Sequence, residues 1–406
     1  MAAPRGRGRP AKVNSQAEQL SKALNFVASA TEGNDPQNFK AYVRLEGNMA
    51  IASTGQITAG HPIAEELKLC PHLERLKLSL LKCGKTLVLT ETPTGQLSVK
   101  GDKLRAVVPC VPAHDMPVFL PDQPVAVVDD RLKEAFKGCG ILASEAGERV
   151  VEASLLLEAN TCTGTNGYAM LQFWHGIDLP PHMVLPKAFT AAIAKAEGTL
   201  TGFGFSWDNT LNKPGSITLW FEGGSWLKTQ CYSDRWPDVA RILDIQSFPA
   251  DVPAGLFDAV EAVEKFSDDK VPSVFFAENK VMSHPSPEIG AQWEVPGLPA
   301  GKRFNSKMFR QAGPFVNSID LTTYADKAVF FGGSDTAPVR GVIMGMTGGV
   351  VAAEPPQGTG AENYAHGGGD SGWSAPEGGS HMTGDPSDDM EDGSAEDGFN
   401  ANPGWG

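Results

Sequence analysis

Apolar residues recur at helical spacing in several stretches of the chain, and at every second residue in the stretches between them. Leu20, Ala23, Leu24 and Val27 fall one helical face apart behind a capping box, Ser15-Gln16-Ala17-Glu18, and predict a helix. Strand-like segments follow from Phe39 to Leu45 and from Met49 to Ile57. The run His72 to Lys82 predicts a second helix, although Leu76, Leu78 and Leu80 also alternate as a strand would. Thr86 to Thr90, Gln96 to Lys100 and Leu104 to Val108 read as a meander, turning at Pro93-Thr94-Gly95 and Gly101-Asp102.

The same order then recurs. Leu132, Ala135, Phe136 and Cys139 open a second unit at helical spacing, with strands around Val151 to Ala159 and Tyr168 to Trp174. Pro186 marks a helix start, and Phe189, Ala192 and Ile193 give that helix a core face. Strands follow at Leu200 to Ser206, Ser216 to Glu222 and Trp226 to Tyr232. Leu256, Val260 and Val263 open a third unit. Its second helix begins near Asn305 with Met308, Phe309 and Ala312 inward, and its last strands are Ser318 to Thr323, Ala328 to Phe331 and Val339 to Met344. Three units of helix, strands, helix, strands predict an α+β fold of three tandem domains, 15–121, 122–244 and 245–347.

Composition changes the picture at the ends. Residues 1–14 carry Arg5, Arg7, Arg9 and Lys12, whereas the chain from Thr347 onward has eleven acidic residues and no Lys or Arg. Neither the basic arm nor the acidic tail, 348–406, has the apolar residues to bury against chain entropy, so both are expected to be disordered. Phe399 and Trp405 are the tail's candidate anchors. The net charge of −14 argues against a nucleic-acid binder basic all over, but not against one with a single basic face. The apolar runs are too short to span a bilayer, and no apolar stretch follows the arm, so neither a membrane protein nor a secreted one is expected. Six cysteines without paired spacing read as reduced thiols of a cytoplasmic protein.

Candidate chemistry is sparse. Phosphate-binding glycine loops, nucleophile elbows and zinc spacings are absent, so neither an enzyme nor a cofactor is expected. Asp129-Asp130 and Asp268-Asp269 could hold a metal, but paired acids near helix starts are more simply caps or surface residues. The helices carry basic outer positions: Arg75, Ser79 and Lys82 on one stripe, Lys133 and Lys137 on the next, then Lys187 and Lys195, then Lys307 and Arg310. The plainer account of any one of these is a solvated amphipathic face. Four together, in an acidic protein, point to one shared phosphate-facing surface. Arg7 and Arg9 lie in Arg-Gly-Arg-Pro, which looks like an AT-hook for a narrow minor groove or, equally, a nonspecific phosphate-binding tail.

Several strings resemble the bacterial β sliding clamp, the polymerase III processivity factor. They are Leu185-Pro186-Lys187 before a helix, the segment from Cys231 to Asp238, Leu104 to Pro109 with Met116-Pro117, Trp236 to Leu243, Phe304-Asn305, and the closing Val342-Ile343-Met344-Gly345-Met346. The resemblance covers about residues 15–346. It implies three clamp domains per chain and a head-to-tail homodimer of six domains, a ring with helices inside and sheets outside. It also implies a hydrophobic cleft between the second and third domains that takes peptides of the DNA polymerase and the clamp loader. That cleft would gather Thr165, Gly167, Tyr168, Met170, Pro237, Arg241, Val342, Ile343, Met344 and Met346. Methionines suit such a groove because they repack around different ligands. Thr165-Asn166-Gly167-Tyr168-Ala169-Met170 departs from the family's Thr-Asp-Gly-His-Arg-Leu, and the chain runs on past Met346. These departures point to a divergent clamp, such as a phage-encoded one with its own polymerase. The polar face of the first third-unit helix, Asp258, Glu261 and Lys265, would leave part of the hole without positive charge.

The expected function is therefore a DNA sliding clamp that encircles duplex DNA and tethers a polymerase. The rivals are a clamp-shaped peptide-binding decoy that never encircles DNA, and an enzyme whose site no motif marks.

Overall fold

In the computed structural model, residues 16–33, 38–84, 86–143, 149–267 and 270–347 are described. The arm with Arg7 and Arg9, Ser15 of the capping box, Asp268-Asp269 and the acidic tail lie outside them.

One element order occurs three times. The first pass is α1 (Gln16–Val27), β1 (Arg44–Glu46), β2 (Met49–Ser53), β3 (Ile57–Pro62), β4 (Cys70–Pro71), α2 (Leu73–Leu80), β5 (Val88–Glu91), β6 (Leu97–Lys100) and β7 (Arg105–Val108). A connection with β8 (Cys110–Val111) and β9 (Pro124–Val127) leads onward. The second pass is α3 (Asp130–Gly140), β10 (Ser154–Leu157), β11 (Thr161–Thr165), β12 (Ala169–Trp174), β13 (Met183–Pro186), α4 (Lys187–Lys195), β14 (Leu200–Asp208), β15 (Lys213–Phe221) and β16 (Trp226–Gln230). After α5 (Val239–Leu243) and β17 (Ala250–Asp251) come α6 (Leu256–Glu264), β18 (Ser273–Ala277), β19 (Lys280–Met282), β20 (Gln292–Glu294), β21 (Lys302–Asn305), α7 (Ser306–Ala312), β22 (Val316–Asp320), β23 (Lys327–Ser334) and β24 (Ala337–Met344).

The helices form where their apolar spacing puts them, and local caps set their starts. Asp129 accepts from Arg131 N at 2.9 Å and Asn305 from Met308 N at 3.0 Å, each satisfying an orphan amide of the first turn. Asp129 is thus a cap, and Asp130 accepts from Leu200 N at 3.0 Å. Pro186 precedes the first turn of α4, where its missing N–H costs nothing. The six cysteines are free.

The sheets join the repeats. The first three strands of the first pass continue into the last three of the second, in the order β1-β2-β3-β16-β15-β14-β9. The first four of the second continue into the last three of the third, in the order β13-β10-β11-β12-β24-β23-β22-β17. Besides the two-stranded pair β4-β8, two half-sheets remain by themselves, β5-β6-β7 from the first pass and β20-β19-β18-β21 from the third. The helices pack in pairs, α1 with α2, α3 with α4 and α6 with α7, and α1, α3 and α6 lie on their own sheets. The core between helix and sheet is mainly apolar; in the third pass the rings of Phe276, Phe304 and Phe309 lie within 5.3–5.4 Å of one another.

Several expectations are corrected. Met49 to Ile57 is not one strand: β2 ends at Ser53 and β3 starts at Ile57, because Ser53 and Thr54 hydroxyls bond the amides of Gly55 and Ile57 and turn the chain. Phe39 to Ala41 is a single 3-10 turn rather than strand. Ser79 is buried, donating to Arg75 O at 2.8 Å, so it does not share the outer stripe of Arg75 and Lys82. The outer side of α2 and its C-terminal cap carries Leu78 and Leu81 instead, 61% and 71% exposed.

Candidate functional site

The turn between β11 and β12 builds one wall of a cleft. Thr165 Oγ1 donates to Ala169 O at 2.7 Å and accepts from Gly167 N at 3.1 Å. Asn166 Oδ1 accepts from the amides of Tyr168 and Ala169. The turn needs φ of +85° at position 167, which glycine adopts without strain. It lifts Tyr168 out of the sheet, 67% exposed, and Met344 N ties it to β24 by donating to Tyr168 O at 2.8 Å. Next along the seam Met170 faces Val342 in register. Gly341 lets the strands close there, since a Cβ on it would lie 2.2 Å from the Phe330 ring.

The opposite wall is the connection that crosses the same sheet face. Trp236 is buried and donates Nε1–H to Ser154 Oγ at 3.1 Å, which fixes the crossing. Asp238 caps α5 by accepting from Arg241 N at 3.2 Å. Leu156, Met170, Val184, Trp236, Val239, Leu243 and Val342 form a small core separate from the main one. Above it lies a cleft of about 640 Å³.

Seven of the ten expected residues line this cleft: Thr165, Gly167, Tyr168, Met170, Pro237, Val342 and Met344. Three do not. Ile343 points to the other face of β24, 2% exposed in the main core, because strand neighbours alternate. Met346 lies past the strand end, its amide bonded to Arg303 O at 2.8 Å. Arg241 lies on the exposed side of α5. Not expected in the cleft were Arg149, Val151, Glu152, Ala169, Arg235, Trp236, Asp238 and Ile242. Ile242 follows Val239 by one helical step and could have been found; Glu152 falls where strand is expected from Val151, but the chain makes a 3-10 turn at Val150–Ala153 and the strand starts only at Ser154, while Arg149 precedes that turn outside any element.

A second cavity of about 750 Å³ lies on the other side of the Arg235-to-Asp238 crossing. Its floor is the next row of the sheet face, Val184, Leu156, Gln172 and Arg340, and Arg340 donates to Gln172 Oε1 at 2.8 Å. Its rim is polar, with His182 on Glu158 at 2.8 Å and Lys213 Nζ donating to Tyr232 O at 3.0 Å.

The helix cations divide into two groups. Lys133 donates to Ala196 O and Gly198 O at 2.9 and 3.1 Å, so it ties α3 to the end of α4 instead of standing outward. Burial lowers its pKa. Lys137 pairs with Glu134 at 2.9 Å and Arg310 with Glu264 at 3.2 Å. Arg75, Lys82, Lys195 and Lys307 are exposed, and Lys187 is half-buried. Among the described residues, no three His, Cys, Asp or Glu side chains converge as metal ligands, and no helix is long and apolar enough to cross a membrane.

Solved structures share this architecture. The DNA polymerase sliding clamp from Bacillus subtilis superposes with a TM-score of 0.68 at 12% identity, over 82% of this chain and 98% of that one. The β sliding clamp of C. crescentus gives 0.67 at 17%, with the same coverage. The DNA polymerase sliding clamp from Pseudomonas aeruginosa gives 0.67 at 16%, again over 82% and 98%. No protein-family model matches the sequence, and no curated protein matches it. The chain therefore has the sliding-clamp fold, at an identity that fixes the architecture alone.

Proposed function

We propose that this protein is a DNA sliding clamp: a non-enzymatic homodimeric ring around duplex DNA that holds a DNA polymerase, and in turn a clamp loader, through the cleft beside Tyr168 and Met344. The observation that carries it is the sheet pattern. Each joined sheet combines the first half of one repeat with the second half of the next, through β3 with β16 and through β12 with β24. The two half-sheets left over are a first half, from the third repeat, and a second half, from the first. By the same rule β20 of one copy pairs with β7 of a second copy. Two such junctions close a six-domain ring with domains at about 15–121, 122–244 and 245–347.

The exposed residues support that closure. Val107 on β7 and Trp293 on β20 are 59% and 47% exposed, and unpaired strand edges of this kind invite pairing. Within the chain α4 packs against the turn that ends α1. The equivalent contact between copies would cover Leu78 and Leu81 of α2 with Phe266 beyond α6, all three exposed in the single chain. Arg75, Lys82, Lys195 and Lys307 would then meet phosphates across the hole. They position the ring without reading bases, which leaves it free to slide. Lys187 joins them, and Arg7 and Arg9 would add phosphate contacts. Lys133, Lys137 and Arg310 serve mainly to hold helices and neighbouring acids in place.

Retention on DNA tests the reading. Protein assembled on nicked circular duplex should stay bound through a high-salt wash and be lost when the circle is linearised. Equal loss from circle and line would favour a clamp-shaped peptide binder that does not encircle DNA.

A further inference from the structure

Among the ionisable residues lining the 640 Å³ cleft, Arg149, Arg235 and Asp238 stand exposed on the rim, and only Glu152 is half-buried. Glu152 lies in the single 3-10 turn before β10. Its Oε1 lies 3.2 Å from where a Cβ on Gly167 would be, so the carboxylate overhangs the Thr165-to-Tyr168 turn at the mouth of the cleft. Among the described residues that carboxylate has no ion-pair or hydrogen-bond partner. The floor beneath it is apolar, formed by Val151, Met170, Ile242, Val342 and Met344.

A peptide side chain seated on that floor removes water from the carboxylate. An uncompensated charge in such a place opposes binding, and a cation brought by the ligand reverses the sign. We propose that Glu152 sets specificity: the segment that fills the cleft is an extended peptide with bulky apolar anchors and a lysine or arginine placed to pair with Glu152. An acidic residue at that position is excluded by repulsion in the same spot. This rests on the reading of the cleft as a peptide site, and it adds the charge of the partner.

The test uses the full chain and short random peptides displayed on phage, selected in parallel against the wild type and Glu152→Lys. The wild-type pool should converge on spaced apolar residues with a Lys or Arg at a fixed offset. The Glu152→Lys pool should keep the apolar spacing and replace the cation with Asp or Glu. The best wild-type peptide, made synthetically, should bind Glu152→Gln about tenfold more weakly, and its Lys-to-Ala analogue should bind both proteins alike. Apolar convergence with no charge preference, or the same charge in both pools, overturns the role of Glu152 and leaves the cleft standing. No convergence at all, or binding untouched by Met344→Asp, overturns the cleft itself.

Discussion

Asp320 ends β22 and gathers donors from two directions. Phe248 N bonds it at 2.7 Å from the connection into the third repeat, and the amides and hydroxyls of Thr322 and Thr323 bond it from the following turn. Burial alone would raise its pKa, but the hydrogen bonds from Thr323, Phe248 and Thr322 outweigh that and hold it well below the usual carboxylate range. The ionised form is therefore favoured in the folded state. Its contribution is complete above the unfolded pKa near ~4 and is lost as pH falls toward the depressed folded value. Asp320→Ala should cost about 2–3 kcal/mol at neutral pH, since charged hydrogen bonds are replaced by orphaned amides. Its melting temperature should also fall less steeply than the wild type's below about pH 4. Parallel acid profiles for the two proteins would show that Asp320 is not the linked group.

At the scale of elements, buried side-chain hydrogen bonds pin the connection between the first and second repeats. Before β9, Asp122 accepts from Lys228 at 2.8 Å, from Ser216 at 3.0 Å and from Thr218 at 2.9 Å, with Lys228 and Asp122 side chains only 10% and 8% exposed. Breaking a buried pair by removing one partner leaves an uncompensated charge. Asp122→Ala should cost about 3–5 kcal/mol in chemical denaturation, and Asp122→Leu with Lys228→Met should recover most of it. A destabilisation below about 1 kcal/mol would mean that the network is solvated and idle. None of this was legible in the sequence, where Asp122 and Lys228 are distant and belong to no motif. The helices were legible because their buried faces, Leu20 to Val27 or Leu132 to Cys139, repeat at the helical period. Short edge strands such as β9 and β17 were not, having too few residues to alternate. The cleft was legible where strand alternation and family resemblance agree, at Met170, Val342 and Met344. It failed at Ile343, which strand alternation turns inward, and at Arg149 and Glu152, which only the tertiary fold brings to the site.

At the scale of the molecule, the division of the helix cations makes a claim about salt. Charge reversal of Arg75, Lys82, Lys195 and Lys307 should flatten the dependence of DNA affinity on salt, by about 0.9 in log–log slope for each phosphate no longer neutralised. Reversal of Lys137 and Arg310 should change the slope little, because Glu134 and Glu264 already hold those charges. Equal slopes for both sets of variants would mean that the exposed cations face away from DNA.

Ring closure underlies the expectations about DNA, and the mass of the full chain in solution tests it most directly. At micromolar concentration, light scattering should give twice the 43.1 kDa chain mass. Val107→Asp and Leu81→Asp, placed on the edge strand and helix end that a second copy would cover, should each return it to a single chain without loss of fold. A wild type of single-chain mass at every concentration, or a dimer indifferent to both substitutions, would contradict the ring.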